Sequence, residues 1–263
     1  MLELASYETR RRWRGTAALA VMLAALAALM VAFFPSVQAS GVDFETYVAS
    51  MPPAFRAAFG VEAMTTIGGF LATELYQFAW VLLLGLYFAY LAGGVVASDV
   101  ERGRMDLLLS TPISRRRVVA EKFLSLLAPM VAVNVVGAVV VYAGTVAVGD
   151  PIDVIDLTMV HVLSLPYLLA CAAIGLVFSV ALHRADTAQR GALGLLFALF
   201  LVDSVSVSSD YDWAGALSPT RYYDPTAILV RGEYDWTGAA ILLLAAVALV
   251  LFAREYFQRV DVE

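Results

Sequence analysis

Ser98-Asp-Val-Glu-Arg-Gly-Arg-Met-Asp-Leu-Leu-Leu-Ser-Thr-Pro-Ile-Ser-Arg-Arg-Arg-Val-Val-Ala-Glu-Lys122 lies between two long apolar runs, and its residue order is too particular for a generic loop. Thr111-Pro112 with Ser114 reads as a turn and a helix start. Proline fixes φ and needs no donor at the first helical position, while Ser and Thr oxygens accept the orphan N–H groups there. A short helix is therefore expected over residues 113–121. Arg115, Arg116 and Arg117 occupy consecutive positions and fan over three directions about its axis, while Val118 and Val119 supply a narrow apolar strip. Such a helix suits the membrane surface or the groove of a partner.

The runs on either side set the environment. Of 263 residues, 61% are hydrophobic and only 15% charged, with a mean hydropathy of +0.80. Soluble domains carry about 25% charged residues, so the chain reads as an integral membrane protein. Candidate spans are 16–34, 78–97, 123–148, 157–182, 191–207 and 236–253. Each approaches the roughly 17–25 residues that cross a hydrocarbon core as a helix. Asp203 interrupts the fifth, which makes its outer half a candidate interfacial segment.

Charge orients the bundle. With both termini in the cytoplasm, the inner segments hold 14 of the 17 Lys and Arg residues, leaving only Arg56, Arg221 and Arg231 outside. That asymmetry follows the positive-inside rule and disfavours an odd number of spans. The outer loops carry the acidic excess behind the net charge of −6, as in Asp150, Asp153 and Asp156, or Asp224, Glu233 and Asp235. Residues 1–15 are too basic for a signal sequence, and they read as a short interfacial helix along the inner membrane face. In the first outer loop, Phe44, Tyr47, Val48, Met51, Phe55 and Phe59 recur at spacings of three and four about Pro52-Pro53, which suggests two short amphipathic pieces. The second, residues 204–235, is rich in aromatics that include Tyr211, Trp213, Tyr222, Tyr223 and Tyr234. These belong either at the headgroup level or around an external gate.

With this topology, the order Glu101, Gly103, Leu107 to Leu109, Thr111-Pro112, Ser114-Arg115 and Lys122 resembles the loop between the second and third helices of exporter-type (type 2) permeases of ATP-binding-cassette transporters. The likeness extends to the six-helix plan, the basic N-terminal helix and the long loop before the last helix. It implies an all-α integral membrane protein with six transmembrane helices, an N-terminal interfacial helix and a cytoplasmic coupling helix, forming one permease domain over residues 1–263. Its partners would be a separate ATP-binding-cassette ATPase subunit, a second permease copy or paralogue, and the lipid bilayer, with no nucleic acid. ATP and magnesium would bind the partner. The coupling residues would be Glu101, Gly103, Pro112, Ser114, Arg115, Arg116, Arg117, Val118 and Lys122, with Val118 and Val119 as apolar anchors in the ATPase cleft. The implied setting is the plasma membrane of a prokaryote, multi-pass, with both termini cytoplasmic.

The remaining residues bear on what the chain does itself. Lys122 is the only lysine and no glycine precedes it, so there is no phosphate-binding Gly-x-x-x-x-Gly-Lys-Ser/Thr loop. His161 and His183 lie about a span apart, and no His-Glu-x-x-His or nucleophile elbow occurs, which disfavours an enzyme. Cys171 is the sole cysteine, so an internal disulfide and a cysteine metal site are excluded, and no metal site is expected. Asn134, His161, Ser164 and Ser179 fall inside spans, where polar groups are expensive against lipid and must face helices or a cavity. Interhelical hydrogen bonding is the ordinary role, with Asn134 and His161 as possible pathway residues. An energy-independent channel or secondary carrier is the alternative function, and it requires a relay of buried carboxylates that the third and fourth spans do not offer. The transported substrate is not encoded in any motif.

Overall fold

The computed structural model describes residues 2–39, 46, 50–52, 64–206 and 211–259, and every element among them is helical. Six stretches are long and apolar enough to cross a membrane: Glu3–Ala39, Ile67–Glu101, Arg115–Ala147, Val154–Ala181, Ala185–Ser206 and Trp236–Arg259. The first is a single helix, α1 (Glu3–Ala39). The second is composite, with α2 (Ile67–Leu71), a π-helical segment (Ala72–Leu84), α3 (Gly85–Gly93) and, after a turn, α4 (Ala97–Glu101). The connector adds α5 (Arg104–Leu109) and α6 (Arg115–Leu124), and α6 passes through Ser125 and Leu126 into α7 (Leu127–Ala147). The fourth and fifth spans are α8 (Val154–Ala181) and α9 (Ala185–Ser206). Beyond them come α10 (Asp212–Gly215), a 3-10 turn (Pro219–Tyr222), α11 (Pro225–Arg231) and finally α12 (Trp236–Arg259).

α8 is the hub, packed against α3, α7, α9 and α12. Its sequence is apolar on every face, as a helix surrounded by others must be, and Leu168, Cys171, Ala172, Ala173 and Leu176 are fully buried. Small residues set the closest approaches. A Cβ on Gly175 would run into the Ala89 carbonyl of α3, and one on Gly93 would lie 3.0 Å from the Gln189 Cα of α9. With little hydrophobic driving force between helices in lipid, such backbone proximity is a main source of association. Of the Gly191-x-x-Gly194 pair only the first is crowded, by Phe178, and nothing lies near Gly194.

Several boundaries differ from the sequence reading for identifiable reasons. The expected interfacial helix over residues 1–15 is not separate: α1 runs unbroken through Gly15, which has open space around it. At 37 residues the helix is about 55 Å long, well beyond the roughly 30 Å hydrocarbon core, so its basic turns extend past the membrane. The second span begins at Ile67 rather than 78, started by Thr66, whose hydroxyl accepts from Gly69 N at 3.1 Å. Asp203 does not break the fifth span, because Thr220 donates to its carboxylate at 2.6 Å and Arg221 lies 3.6 Å away. The two amphipathic pieces expected about Pro52-Pro53 lie largely outside the described residues.

The second outer segment divides its aromatics between two roles. Tyr223 is buried, donates to Val160 O at 2.8 Å and stacks on Tyr167, whereas Tyr211, Trp213 and Trp236 are exposed. Tyr234 donates to Asp156, and that bond pushes the phenol up to about 12. Tyr167 in turn donates to Val81 O at 2.7 Å, supplying a partner to a carbonyl in the π-helical segment where the regular ladder is altered.

Candidate functional site

At the basic end of the bundle the connector is held by helix caps that come from other helices. Ser179 of α8 accepts from Val96 N at 2.9 Å and Ala97 N at 3.1 Å, covering the start of α4. Glu101 accepts from Ala185 N at 3.1 Å, at the start of α9. Glu121 accepts from Leu4 N at 2.9 Å and Ala5 N at 3.1 Å, at the start of α1. A carboxylate at a helix N-terminus satisfies orphan donors and complements the helix dipole. These five bonds, made by three capping side chains, therefore clamp the first, second, fourth and fifth spans to the connector.

Between the clamps the chain turns twice. Gly103 has φ +64, and nothing would crowd a Cβ there, so the left-handed turn itself selects glycine. α5 follows, with Met105 buried and Leu107 71% exposed. The Ser110 and Thr111 hydroxyls donate back to Leu107 O and Leu108 O at 2.8 and 2.6 Å. Pro112 sits at the centre of a tight turn closed by Ile113 N to Thr111 O at 2.7 Å. Ser114 then caps α6, accepting from Arg117 N at 3.3 Å. The turn and Ser cap match the sequence reading, although α6 starts at Arg115 and ends at Leu124.

The arginine run is engaged within the chain. Arg115 lies over the Phe257 ring, Arg116 pairs with Glu255 at 2.5 Å, and Arg117 bonds Glu121 at 2.5 Å. The first two tie α6 to the end of α12. Val118 and Val119 are fully buried in the chain's own core. They are not exposed as anchors for a partner cleft, because the α6 face they define packs toward the bundle. The exposed apolar side chain of the connector is Leu107.

Lys122 is also internal, with only 1% of its surface exposed. Its ammonium lies 2.5 Å from Asp99 and 3.1 Å from Glu8, while Arg104 reaches Asp99 at 2.6 Å and Arg12 reaches Glu8 at 3.6 Å. A buried ammonium requires such partners, since desolvation without them costs far more than burying an apolar side chain. Lys122 therefore joins elements inside the bundle, where the resemblance implies a residue at the ATPase contact.

The two possible pathway residues meet in the middle of the bundle. Asn134 Oδ1 accepts from Trp80 Nε1 at 3.0 Å and Ser164 Oγ at 2.8 Å, and His161 Nδ1 lies 2.9 Å away. Asn134 Nδ2 donates to Met130 O at 2.9 Å. With Asn134 Oδ1 as acceptor, His161 carries its proton on Nδ1 and its Nε2 accepts from Tyr76 OH at 3.0 Å. All five side chains are buried and their polar groups bond one another or backbone carbonyls, which accords with interhelical bonding.

Glu8, Asp99, Leu107 and Glu121 take positions at the connector that the sequence reading did not assign. The one available signal was Leu107, an apolar side chain in a charged connector. The carboxylates look like ordinary flanking charges until the helices are assembled.

By class this is a multi-pass helical membrane protein whose basic end carries a rigid, clamped connector. The family described as ABC-2 family transporter protein matches residues 4–262, nearly the whole chain, and the chain belongs to that family. No curated protein matches the sequence. The chain is thus a membrane transporter permease, a type of component that typically works with an ATPase subunit.

Proposed function

We propose that the chain is the membrane-spanning subunit of an ATP-binding-cassette exporter, moving its substrate by alternating access that a separate ATPase subunit drives. The observation that carries this reading is the connector tip, where Leu107, 71% exposed, stands on a short helix whose two ends are pinned by turns. An exposed apolar side chain on a rigid projection suits a partner pocket, and central apolar anchors supply most of the energy of such contacts. The caps at Ala97, Ala185 and Leu4 give a push on the tip a direct route to four spans. In this reading ATP and magnesium are held by the partner, and a second copy or related subunit completes the pathway. The basic end and both termini face the cytoplasm of a prokaryote, in accord with the positive-inside distribution. Export is supported by the resemblance of the connector to exporter-type permeases.

A channel or secondary carrier would need a relay of buried carboxylates. The mid-bundle network consists of Tyr76, Trp80, Asn134, His161 and Ser164, none of them a carboxylate. The test is to express the chain with its neighbouring reading frames and assay ATP hydrolysis that copurifies in mild detergent. An ATPase retained by wild type and lost with Leu107→Asp supports the reading. A chain that purifies alone and supports ion or solute flux in liposomes overturns it.

A further inference from the structure

A cavity of about 240 Å³ opens at the basic end, between the first turns of α1, the end of the second span, the connector and α9. Five cations line it: Arg11, Arg12, Arg102, Arg104 and Lys122. The only lining carboxylates are Glu8 and Asp99, and both are already used by Lys122, Arg12 and Arg104. Arg11 and Arg102 make no ion pair among the described residues, so the walls carry an excess of positive charge. On the bundle side Leu91 and Val95 form an apolar wall, and Ser98 and Gln189 add polar groups.

We propose that this cavity is a binding site for a phosphate group. Guanidinium forks match the several acceptor oxygens of a phosphate in geometry as well as charge, and an anion there would offset the excess. The cavity exceeds a bare phosphate, and one wall is apolar, so the ligand is an organic phosphate with the ester-bearing side toward Leu91 and Val95. Two sources share this chemistry: the headgroup of an anionic phospholipid, at the level where the spans leave the hydrocarbon, and a soluble phosphate compound. Because α1, α4, α5, α6 and α9 all contribute to the walls, the bound anion would brace the connector against the bundle. The site does not depend on the ATPase reading.

The test uses the full chain in detergent and the double variant Arg11→Gln/Arg102→Gln, which leaves every ion pair of the cavity intact. The control is Arg10→Gln/Arg14→Gln, which removes the same charge from residues that do not line the cavity. The probes are phosphatidylglycerol against phosphatidylcholine, read by native mass spectrometry, and inorganic pyrophosphate, read by thermal shift. Phosphatidylglycerol or pyrophosphate should bind wild type and the control alike, with roughly tenfold weaker binding to the cavity variant, a shift expected for losing charge-assisted bonds. Retention of phosphatidylglycerol without a pyrophosphate shift identifies the lipid source, and the reverse identifies the soluble one. Equal losses in both double variants, or no preference for either anionic probe in wild type, overturn the proposal.

Discussion

Lys122 Nζ lies 2.5 Å from Asp99 Oδ2, and with Glu8 at 3.1 Å it joins the start of the third span to the end of the second and the first turns of α1. Removing one member of a buried charged set strands the others. Lys122→Met is therefore expected to lower the unfolding free energy by about 3–5 kcal/mol. Adding Glu8→Gln and Asp99→Asn should recover only part of that loss, because Arg12 and Arg104 then lose their own carboxylate partners. Thermal melts of the three proteins in one detergent check both statements, and wild-type stability in the single variant would show that the cluster is not structural.

Glu121 supplies the cap for α1 from a distant part of the chain. Glu121→Ala leaves Leu4 N and Ala5 N without their acceptor and should cost about 1–2 kcal/mol, the range of lost N-caps. Glu121→Gln keeps a neutral acceptor and should cost less. Amide hydrogen exchange is the discriminating measurement: protection at Leu4 and Ala5 should fall in the alanine variant and survive in part in the glutamine one.

Asn134 accepts from Trp80 and Ser164 and bonds His161, whereas Tyr76 bonds only His161 in the network. Asn134→Leu therefore leaves Trp80 Nε1 and His161 Nδ1 without their acceptor at about 1–3 kcal/mol each, while Ser164 keeps the His161 carbonyl and Tyr76→Phe affects one group. The melting temperature should drop clearly further for Asn134→Leu than for Tyr76→Phe. If Asn134→Leu keeps full stability but loses transport, the residue belongs to the substrate pathway instead.

What was legible in the sequence is what a local rule decides. Gly103, Pro112 and Ser114 announce turns and a cap because φ, the absent N–H and the side-chain oxygen act within a few residues. The six spans are legible because length and apolarity fix them. The partners of charged groups were not, since nothing near Lys122 in the sequence distinguishes a buried ammonium from a fourth exposed cation after three arginines. Val118 and Val119 lie on the expected helix and face the bundle; an apolar strip states that a face is covered and not by which chain. Asp203 reads as a span breaker because Thr220, which bonds it, and Arg221, which pairs with it, come from the following loop.

Gly175 and Gly194 offer a matched pair for testing how tightly the bundle is assembled. A Cβ on Gly175 would meet the Ala89 carbonyl, which is backbone and has no rotamer with which to move away, whereas nothing lies within 4 Å of a Cβ on Gly194. Gly175→Ala should force α8 from α3 and cost about 1–3 kcal/mol, as overpacking does. Gly194→Ala adds no clash inside α9 and replaces the residue least suited to a helix interior, so it should be neutral or stabilising by up to about 1 kcal/mol. Parallel melts of the two variants decide the matter. Since α3 leads into α4 and the connector, Gly175→Ala should also raise exchange at Val96 and Ala97, the amides that Ser179 of α8 caps. Unchanged protection there would mean that the α3 to α8 contact and the connector clamp are energetically independent.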